Sequence, residues 1–176
     1  MKLLSLVPVG HVEQSHLEIL AEGLAPVLRA ACAVHGEKLE LESAYDALRG
    51  QYNSTSLLKK LRKLAATDTW RILGVSEADL YIPILTFVFG EAQLGPAGAS
   101  AAVVSMHRLR QEFYGLPPDP AVLADRLLKE SLHEIGHTLG LRHCPDYRCV
   151  MSSSPSVENI DLKGAHFCDS CVTLLL

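Results

Sequence analysis

The alternation of apolar and polar positions along the 176-residue chain predicts both strands and helices. Continuous or alternating apolar runs are typical of strands, and they occur at 3–10, 38–42, 70–76, 85–93 and 101–109. Apolar residues spaced three and four apart indicate helices, and they cover 13–33 (a segment that includes Cys32), 54–65 and a long segment after Asp119. A loop rich in Gly and Ala is predicted over 94–100, and Ser54 or Thr55 is predicted to cap the second helix.

The last predicted helix carries the clearest signals in the chain. Asp119 can cap its N-terminus, and Pro120 suits the first helical position. Its apolar stripe consists of Leu128, Leu132, Ile135 and Leu139. At 100° per residue, His133 and His137 lie away from that stripe. The helix therefore presents leucines to a core and histidines to something else.

The order of the predicted elements indicates the fold class. Strands and helices alternate through the first half, a pattern that favours an α/β (α+β) fold with a mixed sheet and helices packed on it. The length is sufficient for one domain with a sizeable core, 1–176. Within it we expect an N-terminal sheet and helix part, 1–140, and a smaller C-terminal part, 141–176.

Composition and charge narrow the function. The formal net charge is −4 and the pI is about 6.0, which argues against a nucleic-acid partner. No apolar run approaches the roughly 18 residues of a membrane span, and no export signal is evident, so we expect a cytoplasmic protein without a membrane partner. The five cysteines then favour metal ligation over a disulfide framework.

One segment, HEIGHTLGLRH at 133–143, has the spacing of a catalytic metal site. His133 and His137 are four apart on a helix and so share one face, where a single zinc ion can take both. Glu134 is the next residue after His133 on the helix, so its carboxylate lies beside the zinc and can act as general base towards water bound there. Gly140 can end the helix and turn the chain so that His143 returns as a third ligand. Three ligands leave a fourth position open, as in catalytic zinc sites.

The shorter pattern HExxH arises by chance, and a core histidine or a solvated histidine pair would explain it. The extension through Gly140 and His143 adds two fixed positions, and the histidines lie off the apolar stripe. These two observations favour zinc hydrolysis chemistry.

A second candidate site follows directly. Its four residues are Cys144, Cys149, Cys168 and Cys171. Two closely spaced cysteine pairs can enclose a tetrahedral zinc with no open position, so this ion would be structural. Disulfides and a redox dithiol at 168–171 are the alternatives, and a different assignment would put Cys144 on the catalytic ion.

The residues of both sites resemble a known family. HEIGHTLGLRH is similar to the extended zinc motif of the metzincin clan of metallopeptidases, and CPDYRCVM with CDSC resembles the archaemetzincins. The resemblance implies a metzincin-like fold, a turn at Met151 beneath the metal, and two zinc ions per chain. It also implies peptide or protein substrates held along an edge strand, for which 85–93 is the candidate. Amino-terminal trimming and internal cleavage both stay open, as does the oligomeric state.

The alternative to an enzyme is a zinc-binding module without catalytic activity. In that hypothesis the histidine helix binds metal without turnover, and the cysteine segment contacts a protein or nucleic acid. The acidic charge and the presence of Glu134 argue against it.

Overall fold

A five-stranded sheet forms the centre of the molecule. The computed structural model describes residues 2–95 and 100–175, and this part of the chain contains eight strands. They are β1 (Leu3–Val9), β2 (Ala31–Val34), β3 (Tyr45–Asp46), β4 (Gln51–Asn53), β5 (Thr69–Ser76), β6 (Leu80–Tyr81), β7 (Gly90–Ala92) and β8 (Ser100–Ser105). The larger sheet has the order β2-β1-β5-β8-β7, and β3, β4 and β6 form a smaller one. In the larger sheet β7 alone runs antiparallel, at one edge.

Helices cover both faces of the larger sheet. They are α1 (Gln14–Leu28), α2 (Ser54–Leu61), α3 (Pro120–Thr138), α4 (Val157–Leu162) and α5 (Asp169–Leu175). Because side chains alternate along a strand, β1 sends Leu4 and Leu6 into a core shared with α1 and α3. Val7 and Val9 enter a second core against α2. The predicted α/β architecture is confirmed.

The first predicted helix is too long. α1 ends at Leu28 because Arg29 adopts the left-handed conformation, with φ 49° and ψ 46°. The chain then turns into β2, which pairs in parallel with β1, and Cys32 lies on that strand instead of on a helix. The apolar spacing continues past the end of α1 because Cys32 and Val34 of β2 also pack against the core.

Two predicted strands are also corrected. Residues 38–42 form no strand: Leu39 makes one isolated bridge to Val9, and a short 3-10 helix begins at Glu42. Of the segment 85–93 only β7 is strand, although Val88 bridges Leu80 in the smaller sheet. Both segments still pack at the ends of real strands, which explains their alternating pattern.

The cap of α2 is Asn53, whose side chain accepts a hydrogen bond from the Ser56 amide at 2.9 Å. The predicted caps, Ser54 and Thr55, donate their hydroxyls to the Glu91 carboxylate of β7 instead. Residues 96–99 of the predicted loop lie outside the described residues. Among the described helices, none combines the length and the apolar character needed to cross a membrane.

Candidate metal centres

Helix α3 begins where the sequence predicts. The Asp119 carboxylate accepts hydrogen bonds from the amides of Ala121 and Val122 at 3.0 and 3.1 Å. These bonds satisfy two amides that no helical carbonyl can reach. From Asp119 the helix runs under the sheet to Thr138 and carries His133, Glu134 and His137 in its last turns.

Helix α3 ends in a tight turn that depends on Gly140. Its φ of 94° belongs to a region that side chains with a Cβ rarely adopt. The Gly140 amide donates to the His137 carbonyl, and the Leu141 amide donates to the Gly136 carbonyl, each at 3.0 Å. This pair of bonds is the Schellman arrangement, which closes a helix and reverses the chain. The reversal brings His143 back towards the helix.

The three predicted histidines form one cluster. One ligand nitrogen from each of His133, His137 and His143 lies within 4.8 Å of the others. The Nε2 atoms of His133 and His137 are 3.1 Å apart. Two nitrogens bound to one tetrahedral zinc at 2.0–2.1 Å would be about 3.3 Å apart, so the pair fits a single ion closely.

Backbone carbonyls fix the two helical imidazoles. His133 Nδ1 lies 2.9 Å from the Val150 oxygen, and His137 Nδ1 lies 2.8 Å from the Leu141 oxygen. Because a carbonyl only accepts, each Nδ1 carries the proton and each Nε2 keeps a lone pair for a metal. Burial, together with the positive charge of Lys163, lowers the pKa of His133 to about 3. The ring is therefore neutral, as ligation requires.

Glu134 lies beside the histidine cluster at the floor of a cleft. The cleft has a volume of about 420 Å³, and it is also lined by residues 85–90 and 153–155. Burial raises the pKa of Glu134 well above its ordinary value, and the nearby Glu130 adds to the shift. A Cβ added at Gly90 would lie only 2.6 Å from Glu134 Cγ. The bare backbone of β7 thus leaves the room that this carboxylate occupies.

Met151 packs under the last turns of α3. It is fully buried, and a Cβ added at Gly136 would lie 2.3 Å from its Sδ. Gly136, the residue before His137, therefore admits the methionine directly against the helix backbone. The sequence placed Met151 beneath the metal only through the family resemblance, and it gave Gly136 no role.

The four predicted cysteines form a second, separate cluster. Their sulfurs all lie within 4.8 Å of one another. Cys144 and Cys168 are 3.7 Å apart, as are Cys149 and Cys171, and all four are free thiols. Sulfurs on one tetrahedral zinc at 2.3 Å would be about 3.8 Å apart. The spacing fits a Cys₄ ion, and it groups Cys144 with the cysteines instead of with the histidines.

The electrostatics of this second cluster call for a cation. Burial, together with the neighbouring thiols, raises the pKa of Cys171 far above its ordinary value. The Cys168 amide donates a hydrogen bond to Cys149 Sγ at 3.3 Å. Four thiolates at this spacing repel one another, and a divalent ion is the group that offsets the repulsion.

Several functional contacts were invisible in the sequence. The carbonyls of Val150 and Leu141 act through the backbone, which no residue pattern encodes. Gly90 contributes through the absence of a side chain, which leaves room for Glu134. Glu130 does carry a signal: it lies one helical turn before His133 and Glu134, on the same helix and outside the apolar stripe.

Comparison with known proteins places the chain in a family. The family model described as peptidase family M54 matches residues 28–176. The chain belongs to this family. The archaemetzincin of Methanocaldococcus jannaschii is 44% identical over 169 residues, covering 96% of this chain and 89% of that protein. The archaemetzincin of Pyrococcus furiosus is 35% identical and covers 98% of this chain and 92% of that protein.

Solved structures agree over the full fold. The crystal structure of an archaemetzincin from Archaeoglobus fulgidus, complexed with malonate, has a TM-score of 0.82 at 36% identity and covers 98% of this chain and 99% of that one. A zinc-dependent peptidase from Methanocorpusculum labreanum has a TM-score of 0.86 at 30% identity, covering 98% of this chain and all of that one, 100%. The resemblance to archaemetzincins is confirmed, and this M54 chain is a zinc metallopeptidase. Membership of a peptidase family also favours catalysis over the non-catalytic module.

Proposed function

We propose that His133, His137 and His143 hold the catalytic zinc of a peptidase and that Glu134 is its general base. One observation carries the proposal. The two helical imidazoles are held by carbonyls with their Nε2 atoms 3.1 Å apart, beside a buried carboxylate at the floor of an open cleft. Metal-assisted hydrolysis requires each of these parts: neutral ligand nitrogens at metal-binding distance, a carboxylate beside them and room for a substrate.

The protein's own groups then divide the work of hydrolysis. When bound, zinc supplies Lewis acidity, which polarises the scissile carbonyl and makes water acidic near neutral pH. The Glu134 carboxylate takes the proton of the attacking water and returns it to the leaving amine. The carboxyl carries the proton between the two transfers and gives it up to the amine nitrogen as the C–N bond breaks. The Val150 and Leu141 carbonyls keep the two imidazoles in place throughout.

The cysteine cluster is proposed to hold a second, structural zinc, giving two ions per chain. Four sulfur ligands leave no open position for substrate. The ion joins the segment after α3 to the C-terminal helix α5. This supports a division into a sheet and helix part, 1–140, and a zinc-stabilised part, 141–176.

Peptide or protein segments are the proposed substrates. β7 is the edge strand of the larger sheet, and 85–90 lines the cleft above Glu134. An extended peptide can add to such an edge through main-chain hydrogen bonds, which bring its carbonyls to the metal without selecting a sequence.

Cleavage of a mixed peptide library, with and without a chelator, tests the proposal. We expect chelator-sensitive cleavage, and the positions of the cuts separate amino-terminal trimming from internal cleavage. Glu134→Gln should lower kcat by about 10²–10⁴-fold while zinc content stays at two per chain. The matched control is Glu22→Gln on the exposed face of α1, which should cleave like the parent. A Glu134→Gln protein as active as the parent would overturn the assigned role.

A further inference from the structure

Lys163 is the most deeply buried cation among the described residues near the active site. Its side chain is 0% exposed, yet it lies at the end of α4 and outside both metal clusters. A buried ammonium is costly unless all three of its protons find acceptors. The identity of those acceptors indicates what this lysine does.

Lys163 has three partners, one carboxylate in an ion pair and two carbonyls that accept hydrogen bonds, and they come from two elements of the active site. Lys163 Nζ lies 2.9 Å from Glu130 Oε1, one turn before His133 on α3. It donates to the Val150 carbonyl at 3.2 Å and to the Ser152 carbonyl at 3.0 Å. The two carbonyls flank Met151. One ammonium thus connects the active-site helix to the turn that passes beneath it.

The Val150 oxygen is shared between Lys163 and His133. His133 Nδ1 donates to it at 2.9 Å while Lys163 approaches from the other side. A carbonyl with two donors has a fixed direction, because rotation of the peptide would break both bonds. The direction of this carbonyl sets the ring plane of His133 and hence the position of its Nε2.

Lys163 is itself anchored from the cysteine side. The next residue, Gly164, donates its amide to the Arg148 carbonyl at 2.8 Å, and the Val150 amide donates to the His166 carbonyl at 2.9 Å. These bonds hold 163–166 against 148–150, the segment that contains Cys149. Lys163 therefore extends from the cysteine cluster to the histidine cluster.

We propose that Lys163 is a positioning residue for catalysis, which orients the Val150 carbonyl and through it the metal-binding face of His133. The inference rests on the proposed function, since it assigns His133 to the catalytic zinc. Outer contacts of this kind alter metal affinity or activity by about 10–100-fold.

The test uses a double variant, because Lys163→Met alone would strand the buried Glu130 carboxylate. Replacing both partners of a buried ion pair is often tolerated by the fold. Glu130→Gln/Lys163→Met, compared with Glu130→Gln, isolates the two contacts to the carbonyls. We expect kcat and zinc affinity of the histidine site to fall by about 10–100-fold between these two proteins. Thermal unfolding is measured beside kcat, because Glu130→Gln leaves the Lys163 ammonium buried without its carboxylate and should be the less stable of the two proteins. Zinc at the cysteine site should stay equal in both.

A second readout needs no turnover. The Nδ1–H proton of His133, assigned by its absence in His133→Ala, should give a slowly exchanging NMR signal in Glu130→Gln that shifts and exchanges faster in the double variant. Lys129→Met is the matched control: Lys129 is also buried on α3 and pairs with Asp125 at 2.6 Å. It should leave kcat and the NMR signal unchanged.

Two results are decisive. Equal kcat and an equal His133 signal in Glu130→Gln and the double variant would overturn the proposal and leave Lys163 a purely structural residue. A parent protein without chelator-sensitive cleavage would contradict the proposed function instead. The His133 signal would still report on Lys163 in that case.

Discussion

The two clusters meet at consecutive residues, His143 and Cys144, but are built in opposite ways. The histidines come from the end of one helix and the turn after it, and His143 remains exposed at the cleft. The cysteines pair across the chain, Cys144 with Cys168 and Cys149 with Cys171, and Cys149 is fully buried. One cluster is local and open to the cleft, whereas the other is non-local and closed.

This difference suggests a division of roles: the closed cluster stabilises the fold, and the open cluster serves the reaction. A local cluster is preformed once its helix and the turn after it fold, so a metal bound there would add little to the stability of the fold and could act on substrate. A non-local cluster closes a loop of more than twenty residues, and a metal bound there would offset the entropy of ordering that loop. The amide of Cys144 donates to the Met151 carbonyl at 2.9 Å. The closed cluster thereby supports the floor of the open one.

Loss of a cysteine ligand is expected to have the largest effect. Cys168→Ser leaves three sulfur ligands and should lower the free energy of unfolding by about 4 kcal/mol or more, with loss of one zinc. Thermal unfolding and metal analysis measure both quantities. His143→Ala is the counterpart: it should abolish cleavage while the melting temperature changes little. Similar destabilisation by both substitutions would contradict the division between the clusters.

The open cluster is sensitive to the strand above it. In Gly90→Ala the new methyl would lie 2.6 Å from Glu134 Cγ and 2.8 Å from the Val103 oxygen. The Val103 oxygen belongs to a paired strand and is held in place, so the Glu134 side chain must shift. A displacement of about 1 Å in a catalytic group costs about 100-fold in kcat, and steady-state kinetics measures the loss.

The matched control for that experiment is Gly36→Ala. Among the residues that the structure describes, no atom lies within 4 Å of a Cβ added there, and Gly36 has no positive φ. It should cleave at the parent's rate and bind the same zinc. Unchanged kcat in Gly90→Ala would mean that Glu134 tolerates displacement, which would weaken its assignment as general base.

The local character of the open cluster explains why the sequence predicted it. His133, His137 and Gly140 act through helix geometry, which spacing alone encodes. The same applies to Asp119. The spacing of the cysteine pairs also predicted metal ligands. The sequence left open which group Cys144 joins, and the structure places it with the other cysteines.

Contacts between distant segments were not predictable. The strand over Ala31–Val34 gains its register from β1, and no local pattern distinguishes it from the end of α1. Lys163 looks like an ordinary lysine after a short helix until Glu130 and two carbonyls surround it. Tertiary packing decided both cases and overrode local preference.

A smaller effect is expected where the helix meets Met151. The methyl of Gly136→Ala would lie 2.3 Å from Met151 Sδ and 3.2 Å from Phe167 Cε1. Overpacking costs about 1–3 kcal/mol, and the better helix propensity of alanine returns up to about 1 kcal/mol. We expect a net loss of about 1–2 kcal/mol in chemical denaturation.

The Met151→Ala background tests whether contact with Met151 causes the loss of stability in Gly136→Ala. In this background the alanine at 136 enters space that the methionine has left, so Gly136→Ala should no longer destabilise. An equal loss in both backgrounds would assign the strain to Phe167 instead of Met151. The coupling between the two sites is read from the double-mutant cycle.

The smallest effect is expected at the far end of α3. Asp119 caps the helix 14 residues before His133, about 21 Å away at 1.5 Å per residue. Asp119→Ala removes the acceptor for the Ala121 and Val122 amides and should cost about 1 kcal/mol of stability. Asp119→Ser, which keeps a capping oxygen, should recover most of it. Zinc content and kcat should match the parent in both variants, because fraying of the first turn does not reach the histidines. A fall in kcat would show that the open cluster depends on the whole helix and is less local than its geometry indicates.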